Sequence, residues 1–565
     1  AAVAFLPESR SVLMSVTGKR AGNIFTEKEE VAFIFTFENL MDKARELEVS
    51  YFAESTTGRS YGSGNFSAAL PAKGKAEERI TLPIRANGTF NLRVYLRSRD
   101  RVVRVEEVFP FSRIVALDVL HPDFGVCTHF GQFKGEAQKN LEITALAGAG
   151  WIRDEVYWSR VEKEKGIFDF TIYDGYIQEA VERNLNILMI LDYGNVLYGE
   201  GAPETEEQLA GWQRYVEAAV GRYHHVIKHW EIWNEFSHGL GLNERQRALS
   251  KQEQAKIYLP ILRISYETIK RIDPKAVVVA FGNAGIDEEF IDAVLALGGG
   301  KYLDAISVHP YSFPNTPEAR GYVSRLQSAK DVLAKHGLDV PVWVTEIGWP
   351  THVDTNGVSE RVSGAYGVRM YVLSIASGLA DKVFWYDLQD DGLDATEREH
   401  NFGLIRHWKD ITVPWSAKDN YVAHAAMNSQ LAGATYQGVE KLSDNLIAYR
   451  FLKADGSQLA VIWAIKGSEI VGLRSEAASA QLMDLFGNKA PLHFHNGVVT
   501  LTISEEPIYL IGDLGALSLV EPQFLPQREV ETIVSGELTP VRLSLSGIDG
   551  AGQFVLDLPD GLQHS

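Results

Sequence analysis

The strongest constraint on the fold is a repeated alternation of short apolar segments with amphipathic helical segments, from about residue 118 to about residue 430. Such alternation is typical of parallel βα units, in which a helix returns the chain to the start of the next strand. Eight strands are predicted, at 124–128, 151–154, 187–191, 229–233, 276–281, 305–309, 342–345 and 382–386. Eight units in about 300 residues predict an α/β fold, a (β/α)8 TIM barrel whose functional site lies at the carboxyl ends of the strands.

The structural alternative is a doubly wound open sheet. A sheet of that kind usually has a glycine-rich phosphate-binding loop after its first strand. The corresponding segment 125–131 reads Gly-Val-Cys-Thr-His-Phe-Gly and lacks that pattern. The closed barrel is therefore the prediction.

The segments on both sides of the barrel alternate apolar and polar residues between turn-rich pieces, which is the pattern of β-sandwiches. We predict an N-terminal immunoglobulin-like sandwich over 1–116, the barrel over 117–430 and a C-terminal sandwich over 431–513. Residues 514–565 are predicted to form a partial further β module or a packed extension. The N-terminal sandwich is expected to be a spacer or a wall packed on the barrel, with carbohydrate binding as the alternative.

Charge and composition limit the possible partners. A net charge of -19 and a pI near 5.3 argue against nucleic acid and anionic membranes and favour neutral or weakly charged substrates. The single cysteine, Cys127, excludes an intramolecular disulfide and a cysteine-based metal site. No apolar run approaches the roughly 18 residues of a membrane helix, so we expect no membrane insertion.

The expected location depends on the first residues. The sequence begins Ala1-Ala2-Val3 without a methionine, which suggests that a leader or a tag has been removed. We expect an extracellular, periplasmic or cell-surface protein, and a cytoplasmic one stays open. The oligomeric state is not indicated.

Two of the predicted strands lead into a glutamate at the same face of the barrel. Glu235 follows the aromatic segment 229–233, and burial among aromatic side chains is expected to raise its pKa, as a proton donor requires. Taken alone, a glutamate at a strand end is more often a salt-bridge partner than a proton donor. Glu346 supplies the second carboxyl group, at the end of the seventh strand.

Two carboxyl groups at about 5–5.5 Å suit the retaining cleavage of a glycosidic bond. In that scheme Glu346 attacks the anomeric carbon, and Glu235 protonates the leaving oxygen and later activates water. Asn234, next to Glu235, is predicted to bind the sugar's 2-hydroxyl group. This chemistry needs neither a metal nor a cofactor.

The motifs Trp233-Asn234-Glu235 and Thr345-Glu346-Ile347-Gly348-Trp349 resemble those of the clan A retaining glycoside hydrolases. Segments 151–158 and 166–174 are most similar to families 39 and 5 of that clan. The resemblance covers the barrel and implies a carbohydrate substrate. Family 39 includes β-xylosidases, α-L-iduronidases and enzymes that cut bacterial exopolysaccharides.

The resemblance also implies roles for residues at other strand ends. Arg153 is similar to the arginine that keeps the nucleophile ionised, and His309-Pro310-Tyr311 to a motif whose tyrosine orients it. Trp385 resembles the aromatic floor under the sugar. Further candidate sugar contacts are Trp349, His129 and Asp192.

Each supporting residue also has a purely structural interpretation. His309 could be a core histidine, Arg153 part of an ion pair inside the barrel, and Trp385 a packing residue. For the whole protein, a transglycosylase with the same site and a non-catalytic carbohydrate-binding scaffold stay open as alternatives. The sugar, the linkage and the choice between internal and chain-end cleavage are not indicated by the sequence.

Overall fold

The computed structural model describes residues 3–5, 12–98, 101–410, 412–522, 524–526 and 543–545. The N-terminal part is a sandwich of two sheets, with strand orders β1-β2-β4-β7 and β3-β9-β8-β5-β6. Alternate residues of its strands, such as Phe33, Phe35 and Phe37, are buried between the sheets because successive side chains of a strand point to opposite faces. The strands are β1 (Val3–Phe5), β2 (Val12–Thr17), β3 (Ile24–Thr26), β4 (Val31–Asn39), β5 (Arg45–Ser55), β6 (Ser60–Leu70), β7 (Lys75–Leu82), β8 (Gly88–Ser98) and β9 (Arg101–Ile114).

The middle part is a closed barrel of eight parallel strands in the order β10-β11-β14-β15-β16-β17-β18-β19. This confirms the predicted TIM barrel, and each predicted strand corresponds to an observed one. A short hairpin, β12-β13, follows the second barrel strand. The strands are β10 (His121–Cys127), β11 (Ala149–Tyr157), β12 (Glu162–Glu164), β13 (Ile167–Phe168), β14 (Asn186–Asp192), β15 (His229–Ile232), β16 (Val277–Ala284), β17 (Ala305–His309), β18 (Val342–Ile347) and β19 (Lys382–Trp385).

Helices surround the barrel and return the chain between its strands. Several begin with a capping box, for example Thr205 with Gln208 and Ser250 with Glu253, which satisfies the free N–H groups of the first turn. Among the helices of the described ranges, none has both the length and the apolar character needed to cross a membrane. They are α1 (Ala137–Leu146), α2 (Trp158–Val161), α3 (Thr171–Glu182), α4 (Glu206–Tyr223), α5 (Glu244–Arg247), α6 (Lys251–Ile272), α7 (Glu288–Ala296), α8 (Tyr322–Lys335), α9 (Glu360–Ser377) and α10 (Asp419–Leu431).

The inside of the barrel changes from apolar to polar along its axis. A layer that includes Trp151, Leu188, Trp343 and Phe384 fills the lower part. Because side chains alternate along a strand, the next inward residue of β11 after Trp151 is Arg153. The apolar layer thus forms the floor on which the polar residues of the upper end are placed.

The C-terminal part is a second sandwich, with sheets ordered β20-β21-β22-β27-β24-β25 and β26-β23-β28. Of the predicted module over 514–565, Ser518–Val520 extends the smaller sheet and two short strands pair with each other. The strand expected at 554–558 lies outside the described residues, and the four domain boundaries stay predictions. The strands are β20 (Thr435–Lys441), β21 (Leu446–Leu452), β22 (Gln458–Ala464), β23 (Ser468–Arg474), β24 (Ser479–Met483), β25 (Lys489–His493), β26 (Val498–Ser504), β27 (Ile508–Ile511), β28 (Ser518–Val520), β29 (Phe524–Pro526) and β30 (Leu543–Leu545).

The barrel and the C-terminal sandwich share one hydrophobic core. One face of the larger C-terminal sheet, including Val461 and Trp463, packs into the same cluster as the barrel helices. Arg369 of α9 is fully buried there and pairs with Glu318 at 2.8 Å, while the Trp463 indole donates to the same carboxylate at 2.9 Å. A buried charge is tolerated only when it is paired and hydrogen-bonded. The Arg369–Glu318 pair lies within the barrel, and the hydrogen bond from Trp463 joins it to the C-terminal sandwich.

We predict that Arg369→Ala lowers the free energy of unfolding by about 3–5 kcal/mol, because Glu318 is left at the interface without its cation. Urea unfolding followed by circular dichroism measures the change. Lys441→Ala is the matched control, since it removes an exposed ion pair with Asp444 and is expected to cost less than about 1 kcal/mol. Equal losses in the two variants contradict the prediction.

Candidate active site

The end of β15 has an unusual backbone. Trp233 and Glu235 both have positive φ angles, 68° and 50°, in the left-handed region that side chains other than glycine rarely adopt. The Glu235 N–H donates to the Gly282 carbonyl at 2.7 Å, and the Trp233 indole donates to the Leu240 carbonyl at 2.8 Å. These bonds hold a strained turn that presents Asn234 and Glu235 at the barrel mouth, and such strain is frequent at functional sites.

Arg153 is the centre of the polar network. Its guanidinium donates to Glu231 at 2.6 Å, to Glu346 at 2.7 Å and to the Asn234 side-chain oxygen at 2.9 Å. Glu231 is fully buried and also accepts hydrogen bonds from Ser307. One cation therefore links residues from three barrel strands.

Glu346 is held from two sides. Arg153 contacts one carboxylate oxygen, and the Tyr311 hydroxyl donates to the other at 2.9 Å. These two contacts, one on each oxygen, hold the carboxyl group of Glu346 in one orientation.

Glu235 contacts His309, whose Nδ1 lies 2.9 Å from Oε1 of Glu235, while its Nε2 lies 3.0 Å from the Thr345 hydroxyl. The expectation of a raised pKa for Glu235 is wrong for this arrangement. Burial raises the pKa, but the hydrogen bond and the positive charge of His309 outweigh burial and leave the pKa of Glu235 below its usual value. The contact with the imidazole therefore decides the direction of the shift, not the aromatic residues that are neighbours in sequence.

The two glutamates face each other across the barrel mouth. A carboxylate oxygen of Glu235 and one of Glu346 lie within 4.8 Å of each other, and Nδ1 of His309 lies 2.9 Å from the first glutamate and 3.5 Å from the second. They border a cavity of about 500 Å³. Of the residues predicted from sequence, those that line this cavity are His129, Arg153, Asn234, Glu235, Tyr311 and Glu346. His309 is buried beneath it.

The prediction that Trp385 and Trp349 contact the sugar is contradicted by their positions, because both side chains are fully buried. Phe384 belongs to the layer inside the barrel, so the next residue of the strand, Trp385, points outward, where its ring packs against His424 of α10. Trp349 similarly packs against Tyr366 of α9. The aromatic side chains that do line the cavity are Tyr157, Tyr193, Tyr311, Phe313, Tyr386 and Phe402.

His129 lies on the cavity wall in a charged cluster. Its Nδ1 is 2.9 Å from Asp391, whose other oxygen accepts from Lys134 at 2.7 Å. Burial lowers the pKa of His129, but the charge of Asp391 and its hydrogen bond raise it to about 10. The imidazole is therefore a cation at neutral pH, with its positive charge already balanced by aspartate.

Asp192 does not line the cavity, although it lies at the carboxyl end of β14. It is fully buried, and burial together with the charge of Glu155 raises its pKa well above the usual range. Neither of its carboxyl oxygens has a hydrogen-bond partner among the described residues. A fully buried carboxyl group without a hydrogen bond is unusual in a folded protein.

Three residues of the network carry no role in the sequence-based prediction. Glu155 stands two residues after Arg153 on β11, so the two-residue period of β structure was a usable signal for it. Glu231 lies on β15, three residues before Asn234, which follows the end of that strand. Tyr193, whose hydroxyl accepts from the Asn234 amide at 3.3 Å, follows directly after Asp192. It lies in a loop, where no period applies.

Two groups of described residues bring together atoms of the type that binds metals, Glu235 with His309 and Glu346, and His129 with Asp387 and Asp391. In each group a side-chain cation already contacts a carboxylate. Arg153 lies on Glu346, and Lys134 lies on Asp391. In both groups a carboxylate is therefore already paired with a positively charged side chain of the protein.

Comparison with known proteins identifies solved structures that are similar to this one. No family model matches the chain, and no curated protein matches it. A family 39 glycoside hydrolase from the gut symbiont Bacteroides cellulosilyticus WH2 superimposes with a TM-score of 0.69 at 24% identity, over 88% of this chain and 100% of that one. A family 39 β-xylosidase from Caulobacter crescentus gives a TM-score of 0.50 at 15% identity, over 71% of this chain and 98% of that one. The predicted resemblance is thus confirmed at the level of the fold, which is that of family 39 glycoside hydrolases.

Proposed function

We propose that this protein is a glycoside hydrolase that cleaves its substrate with retention of anomeric configuration. The observation that carries the proposal is the pair of carboxyl groups with oxygens within 4.8 Å at the carboxyl ends of β15 and β18. Retaining enzymes hold these groups at about 5–5.5 Å, whereas inverting enzymes need a wider gap for water. The shared fold supports the same assignment.

In the first step, Glu346 is the nucleophile. Arg153 and Tyr311 hold its carboxylate in one orientation, so its attack on the anomeric carbon needs little reorganisation. The bond from the anomeric carbon to the leaving oxygen breaks as Glu235 donates a proton to that oxygen. The product is a glycosyl ester on Glu346.

His309 Nδ1 lies 2.9 Å from Glu235 Oε1, so the imidazole is close enough to exchange a proton with the carboxyl group. Once Glu346 is esterified, its negative charge is gone, and the loss of a neighbouring anion lowers the pKa of Glu235. Glu235 is then suited to remove a proton from water in the second step. If a sugar hydroxyl takes the place of that water, the reaction is transglycosylation. Analysis of the products distinguishes transglycosylation from hydrolysis.

We predict that Glu346→Ala reduces kcat by at least about 10⁴-fold on any glycoside the protein cleaves. Added azide is expected to restore turnover and to give a glycosyl azide of inverted configuration, because it enters from the face that the carboxylate occupied. Activity is assayed on a panel of aryl glycosides and polysaccharides, and product anomers are read by NMR. Glu267→Gln, on the exposed face of α6, is the control and should retain activity. Full activity of Glu346→Ala contradicts the nucleophile role.

For Glu235→Gln, we expect a loss of roughly 10²–10⁴-fold on substrates with a poor leaving group. The loss should be much smaller on dinitrophenyl glycosides, whose leaving group needs no proton. The slope of log(kcat/KM) against leaving-group pKa measures the effect. An equal loss on all leaving groups counts against the acid role.

His309→Asn is predicted to raise the pKa of Glu235, because it removes the hydrogen bond and the charge that oppose burial. NMR titration of a carbon-13 label in the Glu235 carboxyl group reports the pKa directly. His238→Asn is the matched control, since this exposed histidine lowers the same pKa less and its removal should give a smaller rise. An unchanged pKa in His309→Asn, or equal rises in both variants, contradicts the prediction.

A further inference from the structure

A chain of buried side chains lies beneath the two glutamates of the site. Nε2 of His309 is 3.0 Å from the Thr345 hydroxyl, and that hydroxyl donates to Oε1 of Glu231 at 3.2 Å. His309, Thr345 and Glu231 are all fully buried. At the other end of the chain, Nδ1 of His309 is 2.9 Å from Oε1 of Glu235. The chain therefore connects a carboxyl group in the barrel interior to the proposed proton donor.

The interior end of this chain accepts hydrogen bonds. Glu231 forms an ion pair with Arg153 at 2.6 Å, and the Ser307 hydroxyl donates to its other oxygen at 2.7 Å. A carboxylate paired with a cation accepts hydrogen bonds and has none to donate. The Thr345 hydroxyl has a single hydrogen, which it directs to this carboxylate. Its oxygen is then left to accept from the imidazole.

The direction of these bonds bears on which ring nitrogen of His309 carries hydrogen. A ring nitrogen that faces a hydroxyl oxygen acting as acceptor is an N–H, and here that nitrogen is Nε2. A ring with hydrogen on Nδ1 alone cannot transfer it to Glu235, because an imidazolate would remain. A ring that also carries hydrogen on Nε2 can transfer it and become a neutral imidazole.

The opposite side of the ring favours the other arrangement. Nδ1 faces two carboxyl groups, with an oxygen of Glu235 at 2.9 Å and one of Glu346 at 3.5 Å. If the ring had a single hydrogen, these acceptors would hold it on Nδ1. The contact with Thr345 is the observation that assigns a hydrogen to Nε2 as well.

We propose that Thr345 and Glu231 are positioning residues that keep a hydrogen on Nε2 of His309, so that the proton on Nδ1 can be transferred to Glu235. In this transfer the Nδ1–H bond breaks, its electron pair stays on the nitrogen, and Oε1 of Glu235 forms the new O–H bond. The inference rests on the proposed function and adds to it the residues that supply the proton donor with its proton.

Thr345→Val removes the hydroxyl and keeps the shape of the side chain, so Nε2 loses its acceptor. Thr345→Ser keeps the hydroxyl and is the matched control. Nitrogen-15 NMR of the histidine side chains at neutral pH reports which ring nitrogens carry hydrogen, and His309→Asn identifies the signals of His309. We expect hydrogen on Nε2 in the wild-type protein and in Thr345→Ser. In Thr345→Val, the ratio of rings with this hydrogen to rings without it should fall about tenfold, because a buried N–H has lost its partner.

A kinetic test separates this role from a displacement of Glu346, which follows Thr345 in the sequence. Loss of the proton supply should lower kcat/KM of Thr345→Val by about tenfold on glycosides with a poor leaving group, and much less on dinitrophenyl glycosides. A displaced nucleophile would lower kcat/KM on all leaving groups alike. Thr345→Ser should keep the wild-type dependence on the leaving group. Glu231 is not substituted, because it also holds Arg153.

The NMR result does not depend on turnover, so failure of the inference and failure of the proposed function are distinguishable. An Nε2 without hydrogen in the wild-type protein overturns the inference. So does a Thr345→Val variant, shown by thermal unfolding to be folded, that keeps the wild-type hydrogen on Nε2 or loses kcat/KM equally on all leaving groups. Equal changes in Thr345→Ser and Thr345→Val also overturn it. A protein that cleaves no glycoside contradicts the proposed function, while the NMR result still decides whether Thr345 sets the state of the imidazole.

Discussion

The buried guanidinium of Arg153 is the interaction on which the site depends. It brings together Glu231, Glu346 and Asn234 from two other strands, and without it the two buried glutamates would lose their paired cation. The net charge of the arginine and its two glutamates is negative, so the network needs further donors, which Ser307 and Tyr311 supply. Contacts that begin in the barrel interior therefore fix the position of the Glu346 carboxyl group.

The site has two unlike walls. Tyr311, Tyr386 and Phe402 form a contiguous aromatic group, with ring centroids 5.3 Å apart for the last two. Another part of the cavity is lined by polar side chains of β11, Arg153, Glu155 and Tyr157. A sugar ring has apolar C–H faces and a polar hydroxyl edge, and these walls match that division. The shape of the cavity and the distribution of its polar atoms therefore point to the same class of ligand.

Most of the fold and the central part of the site could be predicted from the sequence. Hydrophobic periodicity located the eight strands, and strand ends located Glu235, Glu346 and Arg153, because a barrel brings all its strand ends to one face. The inward or outward direction of a side chain was harder to predict. Trp385 was assigned to the cavity, although the position of Phe384 inside the barrel turns it outward. The pKa of Glu235 depends on His309, 74 residues away in the chain, and no local pattern reveals that contact.

The N-terminal sandwich contacts the barrel and the C-terminal sandwich directly. Asn87 and Asn488 exchange two hydrogen bonds between these sandwiches, at 2.7 and 3.0 Å. Gly22 lies against the Trp415 carbonyl of the barrel so closely that any side chain would collide with it. Each of the three parts therefore packs against the other two. Recombination that exchanges one part for an unrelated module must break matched contacts at two junctions. New specificities are therefore more accessible through changes in the loops at the barrel mouth.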